Sequence, residues 1–235
     1  MSEPGSPLVI AHRGASVRER ENTVRAFEVA AELGADWVEL DVRRSADGVI
    51  VVHHDATYHD GRLLRSLTSD ELPDDIPSLA EAFEACGDLG VNIEIKNLPE
   101  DPDFDNQHEV ADAVAGMVHA YRPLDKVLVS SFNIDDVDRI RSIDPSIPTA
   151  WIFFEMSSVA QIIDRAVAHG LDAVNPYFGF VDTAFVEKAH GAGLKVFPWT
   201  VDDPERIVEL AEQGVGGVIT TVPAVAISAL AGRGS

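Results

Sequence analysis

The chain has 235 residues, of which 46% are hydrophobic, and it carries 40 acidic against 18 basic side chains for a formal charge of −22. That apolar fraction is ample for a packed core and excludes a disordered chain; the acidic excess excludes nucleic acids and stable association with anionic membranes, both of which call for a basic surface. No apolar run nears the ~18 residues of a membrane span, "MSEPGSPLVI" lacks the pattern of a secretory leader, and Cys86 is the single cysteine, so no intrachain disulfide forms and a cytoplasmic location is expected.

In chain order, short β-branched runs alternate with segments of helical period. "LVIAHRG" (Leu8–Gly14) precedes "ENTVRAFEVAAELG", a predicted helix capped by Glu21 or Asn22 and stopped by Gly34. "WVELDVRR" (Trp37–Arg44) follows, then the turn signal "ADG" and a second extended run, "VIVVHHD" (Val49–Asp55). Ser78 and Glu81 form a capping box that opens "SLAEAFEACG". "VNIEIKN" (Val91–Asn97) leads through a polar stretch to a helix predicted from about Gln107 to Tyr121, with Asp103–Asp105 expected to be a solvated loop. The alternation continues through "KVLVSSF", "PTAWIFF", "DAVNPYF", "KVFPWTV" and "GGVITTV", each followed by a helical segment.

With Val49–His53 taken as an extension of the second unit, eight strand–helix units result. Alternating β and α implies a parallel sheet, and eight units in a chain of this length fit a single-domain (β/α)8 barrel spanning residues 1–235, with a short insertion after the second strand. An open doubly wound sheet is the alternative. A homo-oligomer is compatible with either.

Active sites of such barrels form at the C-terminal ends of the strands. His12 and Arg13 end the first predicted strand; Glu39 and Asp41 lie two apart, on one face, near the end of the second. His54 ends the extension, Glu94 and Lys96 end the third, and Trp199 ends the seventh. Three inward carboxylates repel one another at low dielectric. Either a hard divalent cation such as Mg2+ or Ca2+ offsets that cost, or Arg13, Arg43 and Lys96 pair with them structurally. His12 and His54 suit general acid–base work, or are satisfied packing residues. His53 neighbours His54 but points to the opposite face. Arg13 and Lys96 suit an anionic group. No dinucleotide fingerprint, P-loop or nucleophile elbow is present, so the set fits phosphoryl chemistry on a phosphodiester better than hydride or acyl transfer.

"AHRGAS", "ENTVRAFEVAAELGADWVELDVRRSADGVIVVHHD", "IPSLAEAF", "NIEIKN", "GLKVFPWTVDD" and "GVITTVP" resemble, in order and spacing, the glycerophosphodiester phosphodiesterase family over nearly the whole chain. The resemblance implies a (β/α)8 barrel and metal-dependent hydrolysis of small glycerophosphodiesters to sn-glycerol 3-phosphate and an alcohol. It implies His12 and His54 as the acid–base pair and Glu39, Asp41 and Glu94 as ligands of one divalent cation. It also implies Arg13 and Lys96 on the phosphate and Trp199 on the substrate. Two departures stand out: the segment "ATYHDGRLLRSLTSDELPDD" is shorter than the family's insertion, and Gly216 and Thr221 replace two aspartates of the last motif. Both are expected to be packing or supporting positions. Phe132, Phe153, Phe154, Tyr177, Phe178 and Phe180 at strand ends keep a lysophospholipase D-type activity on lipids as an alternative, and a non-catalytic phospho-ligand-binding barrel is a further one.

Overall fold

Alternate side chains leave opposite faces of a strand, and here both faces are covered. The computed structural model describes residues 6–154 and 158–232; the first five residues, on which the reading of the N-terminal stretch partly rests, lie outside them. The strands are β1 (Leu8–His12), β2 (Trp37–Arg44), β3 (Ile50–Val52), β4 (Gly90–Ile95), β5 (Val127–Ser131), β6 (Thr149–Phe153), β7 (Ala173–Pro176), β8 (Lys195–Val196) and β9 (Gly217–Thr220). The helices are α1 (Val24–Glu32), α2 (Leu79–Cys86), α3 (Glu109–Tyr121), α4 (Ile134–Ile143), α5 (Val159–Ala168), α6 (Thr183–Gly191), α7 (Pro204–Glu212) and α8 (Pro223–Ala231). Eight strands run parallel in the order β8-β7-β6-β5-β4-β2-β1-β9, and β3 pairs antiparallel with β2. Gly216 N–H donates to the Val196 carbonyl and Ile219 N–H to that of Pro198, both at 3.0 Å, which draws β8 and β9 together into a nearly closed (β/α)8 barrel. The open-sheet alternative is excluded.

The outward phase of the strands, with Val38, Leu40, Val42, Val91, Ile93 and Ile95, packs against helices through Phe27, Leu79, Phe83 and Val114. The inward phase is apolar toward the strand N-termini, where Ile10, Leu128, Ala150, Ala173, Phe197 and Ile219 fill the barrel. Trp37 closes that end by lying on Gly90, whose added Cβ would sit 2.1 Å from the indole. Toward the C-termini the same phase carries His12, Glu39, Asn92, Glu94 and Asn175, and the barrel opens into a cavity of about 630 Å³.

Several local expectations are corrected. The N-cap of α1 is Thr23, whose side chain accepts from Ala26 N–H; Asn22 and Glu21 are freed for other bonds. α3 begins at Glu109 rather than Gln107, because Asp105 Oδ2 accepts the Glu109 N–H at 2.5 Å. Asp103–Asp105 is therefore no solvated loop: Asp105 is buried, and Asp103 pairs with Arg43 at 2.6 Å. Regular pairing of β8 stops at Val196, two residues before Pro198, which lacks an N–H; Trp199 N–H still donates to the Pro176 carbonyl at 3.1 Å. The capping box of α2 forms as expected.

Candidate active site

The first loop, "HRGASVRERENT", shapes one rim. Gly14 has φ +81°, and a Cβ there would lie 2.7 Å from the Ala26 backbone, so only glycine lets the loop press onto α1. Arg13 and Asn22 both adopt φ 57°, a region that non-glycine residues enter at a cost and that recurs at functional sites. Two backbone bonds hold them, Arg13 N–H to the Glu39 carbonyl at 2.9 Å and Asn22 N–H to the Arg13 carbonyl at 3.0 Å.

Register places the carboxylates. Pairing of β2 with β4 sets Asp41 beside Glu94 and Glu39 beside Asn92. Glu39, Asp41 and Glu94 each offer a carboxylate oxygen within 4.8 Å of the others, and all three side chains are buried. Arg13 Nε lies 3.2 Å from Asp41 Oδ2, Lys96 Nζ 2.8 Å from Glu94 Oε1 and 3.8 Å from Asp41 Oδ1. Asn22 Nδ2, not anticipated as a site residue, donates to Asp41 Oδ2 at 2.8 Å, and Asn22 Oδ1 accepts the Asp41 N–H at 3.3 Å. Glu21 Oε1 accepts from Arg13 at 2.9 Å. Arg43 was expected as a third counter-ion to the triad; it points instead to Asp101 and Asp103 and donates Nε to the His54 carbonyl at 2.8 Å.

Two cations thus face three carboxylates, and the imbalance falls on Glu39. Among the described residues its Oε2 accepts only the Arg13 N–H, at 3.1 Å, and its Oε1 has no hydrogen-bond partner. Burial, then the charges of Asp41 and Glu94, push its carboxyl well above the usual range. Burial also raises Glu94. Asp41 feels the same burial, yet Lys96 and Arg13 outweigh it and hold the carboxyl below its ordinary value. Asp41 Oδ1 is likewise left without a hydrogen-bond partner. Orphaned, converging carboxylate oxygens are hard donors of the kind Mg2+ and Ca2+ take, so the residues present fit a divalent cation.

The histidines flank this cluster. His12 Nε2 is 3.8 Å from Glu39 Oε2. Burial and the neighbouring Arg13 lower its pKa to about 4, so the ring is neutral near neutral pH. His54 is lowered as well, chiefly by burial. Its Nδ1 lies 2.7 Å from Asp55 Oδ1. A carboxylate only accepts, so Nδ1 carries the proton and Nε2 keeps its lone pair. His53 instead turns its Nδ1 to the Asp55 carbonyl.

All eight residues singled out from the sequence except Asp41 line the cavity itself, and Asp41 joins it through the triad. Trp199 forms one wall, edge-on to Phe132 with centroids 5.4 Å apart, and donates Nε1 to the Asn175 carbonyl at 2.8 Å. Of the strand-end aromatics, only Phe132 joins Trp199 in the lining. Phe153 is buried among the helices, and Tyr177 and Phe180 pack on one another at 5.6 Å. The short insertion folds into two single-turn 3₁₀ segments, Leu64–Ser66 and Ser69–Glu71. It anchors Leu64 against Val51 and Ile76. Gly216 and Thr221 are both outside the lining. Phe197 packs over Gly216, where a Cβ would be 3.1 Å from the ring, and Thr221 bonds Asp202 through its N–H and hydroxyl, each at 2.8 Å.

Among residues that sequence reasoning missed, Asn22 carried little signal, since its bond spans 19 positions. Asn92 was more accessible: it continues the inward series with Glu94 and Lys96.

A sequence model of the glycerophosphoryl diester phosphodiesterase family matches residues 12–225. The chain is 31% identical to a glycerophosphodiester phosphodiesterase of Caldanaerobacter subterraneus subsp. tengcongensis, over 94% of this chain and 96% of that protein. Its fold superposes with a TM-score of 0.86 on an Oleispira antarctica phosphodiesterase in complex with the product sn-glycerol-3-phosphate, at 28% identity and covering 96% and 97% of the two chains. A Thermotoga maritima glycerophosphodiester phosphodiesterase gives 0.81 at 28% identity, covering 96% and 99%. A match that spans the barrel from the first histidine to the last helix decides the assignment: the chain belongs to the glycerophosphoryl diester phosphodiesterase family.

Proposed function

We propose that this protein hydrolyses glycerophosphodiesters to sn-glycerol 3-phosphate and an alcohol, with one divalent cation held by Glu39, Asp41 and Glu94. The observation that carries the reading is the buried triad with orphaned Glu39 Oε1 and Asp41 Oδ1, set between two neutral histidines in one cavity. When bound, the cation supplies Lewis-acid stabilisation of negative charge on the phosphoryl group.

The chain's own residues do the rest. Arg13 and Lys96 bring fixed positive charge to the phosphate oxygens, where preorganised donors stabilise charge that grows in the transition state. Both cations are held protonated by the surrounding carboxylates, against the opposing effect of burial. One histidine, neutral, takes the proton of the attacking oxygen. The other enters as imidazolium, a form that the bound diester's negative charge favours, gives its proton to the leaving alkoxide and ends neutral, and the first then releases its proton to solvent. His54, with Nδ1 committed to Asp55, offers Nε2 for this transfer. His12, neutral near neutral pH, is equally able to accept. Trp199 and Phe132 wall the cavity and limit water around the diester.

The lysophospholipid alternative requires an apolar rim. Phe154 alone among the strand-end aromatics is strongly exposed, at 57%, and the similar proteins named above are glycerophosphodiester phosphodiesterases, which favours the small diester. A purely binding role has no support from the site, since every expected catalytic position is filled.

The test is release of sn-glycerol 3-phosphate from glycerophosphocholine after chelation and separate return of Mg2+, Ca2+ and Mn2+. Metal-restored release that is absent in Glu39→Ala supports the reading. No release with any metal from glycerophosphocholine or glycerophosphoethanolamine would refute it.

A further inference from the structure

The floor of the cavity holds hydrogen-bonding capacity that the chemistry above leaves unused. Asn175, in the inward phase of β7, is fully buried at 0% exposure and lines the cavity. Its backbone carbonyl is taken by Trp199 Nε1, yet among the described residues neither its side-chain Oδ1 nor its Nδ2 has a hydrogen-bond partner. Asn92, also at 0% exposure and in the lining, accepts from Ser130 Oγ at 2.9 Å through Oδ1, while its Nδ2 has no partner. Buried amides left unmet are costly, and native proteins pair them with few exceptions.

Position says what these amides face. In the ring order of eight strands, β7 lies opposite β2, so Asn175 looks across the cavity toward the wall of Glu39 and Asp41. Its neighbour in the β6–β7 register is Ile152, and Ile219 and Trp199 add further apolar lining to the cavity. It is therefore a donor and an acceptor together, set beside apolar lining.

The parts of a glycerophosphodiester differ in what they can offer such a group. Phosphate oxygens only accept. A choline headgroup neither donates nor accepts, and an ethanolamine ammonium only donates. The glycerol hydroxyls do both, and two adjacent hydroxyls match an amide's paired Nδ2–H and Oδ1. We infer that Asn175, with the Asn92 Nδ2 as a further donor, binds the glycerol hydroxyls and sets the preference for glycerol diesters over diesters that lack hydroxyls. This rests on the reading of the site as a glycerophosphodiesterase. A site built to bond a hydroxyl discriminates strongly against analogues without one, because its own polar groups are then stranded.

The experiment compares kcat/KM of the wild type, Asn175→Leu and Asn175→Ser on glycerophosphocholine and on bis(4-nitrophenyl) phosphate, which has no hydroxyl. Leucine keeps the branched shape without the polar atoms, and serine serves if the larger leucine disturbs the fold. Calorimetry of sn-glycerol 3-phosphate against inorganic phosphate provides a readout independent of turnover. The expected result is a fall of at least about tenfold in the ratio of the two kcat/KM values, carried mainly by KM. A matching loss of sn-glycerol 3-phosphate affinity relative to phosphate is expected with it. Parallel losses on both substrates, or an unchanged ratio, with wild-type turnover of glycerophosphocholine intact, would overturn this inference alone. A wild type that cleaves only the nitrophenyl diester would overturn the glycerophosphodiesterase reading and this one with it.

Discussion

The two ends of the barrel interior are built from the same strands and the same side-chain phase, yet they differ in kind. The lower end is apolar and self-sufficient: Ile10, Leu128, Ala150, Ala173 and Phe197 meet one another, Ile219 joins them from the cavity side, and Trp37 lies over Gly90 at the bottom. The upper end is not satisfied by the protein alone. Among the described residues, Glu39 Oε1, Asp41 Oδ1, Asn92 Nδ2 and both amide atoms of Asn175 lack hydrogen-bond partners. Moving two residues along one strand, from Ile10 to His12 or from Trp37 to Glu39, crosses from one regime to the other. The lower end contributes stability through burial of apolar area, and the upper end spends part of it on groups poised for ligands.

The sharpest way to break this comparison is at the histidines. His12→Ala and His54→Ala are each expected to lower kcat by about 10²–10⁴-fold, the usual contribution of a positioned proton-transfer group, with the melting temperature nearly unchanged. Steady-state kinetics beside a thermal melt checks both halves of the statement. Near-normal turnover in both variants would remove the acid–base assignment.

The converse substitution is Ile10→Ala, one inward position below His12. It is expected to cost about 2–5 kcal/mol of stability, read by denaturant unfolding, while the variant that remains folded keeps its metal affinity. A loss of affinity comparable to the loss of stability would show the two ends to be mechanically one unit.

A smaller effect is expected at Asn22, which orients Asp41 through two hydrogen bonds. Asn22→Ala should weaken divalent-metal affinity by about 10–100-fold, as removal of a group that holds a metal ligand does, measured by calorimetric titration of the chelated protein. Unchanged affinity would mean that the β2–β4 pairing alone positions the carboxylate.

The same contrast explains how far the sequence could be read. The period of two in "WVELDVRR" and "NIEIKN" is a local property, so Glu39 with Asp41, and Glu94 with Lys96, could be assigned to one face before any pairing was known. The count of alternating units likewise led to the barrel. Roles decided by distant partners were not legible. Asn22 reads as a helix cap until β2 brings Asp41 beside it, and Asp105 reads as a loop residue until α3 needs its N-terminus bonded. Arg43 shares the inward phase of Glu39 and Asp41, yet Asp101 and Asp103, nearly sixty residues away, draw it aside. Asn175 gave no signal beyond its place in the strand, because having no partner is a property of the assembled neighbourhood.

The central claim is that the upper end is completed by a cation, and thermal melting of the chelated protein with and without added Mg2+, Ca2+ or Mn2+, beside Glu39→Gln, tests it most directly. Among the described residues no Lys or Arg side chain forms an ion pair with Glu39, which feels Arg13 only as a nearby charge and through its N–H, while burial, Asp41 and Glu94 oppose its ionisation, so neutralising it should leave the metal-free chain at least as stable as the wild type. The account predicts that metal raises the wild-type melting temperature by the linkage expected of a ligand that binds only the folded state, and that Glu39→Gln loses that rise. A wild type whose melting ignores all three metals, or a Glu39→Gln variant that responds to them as fully as the wild type, would contradict it.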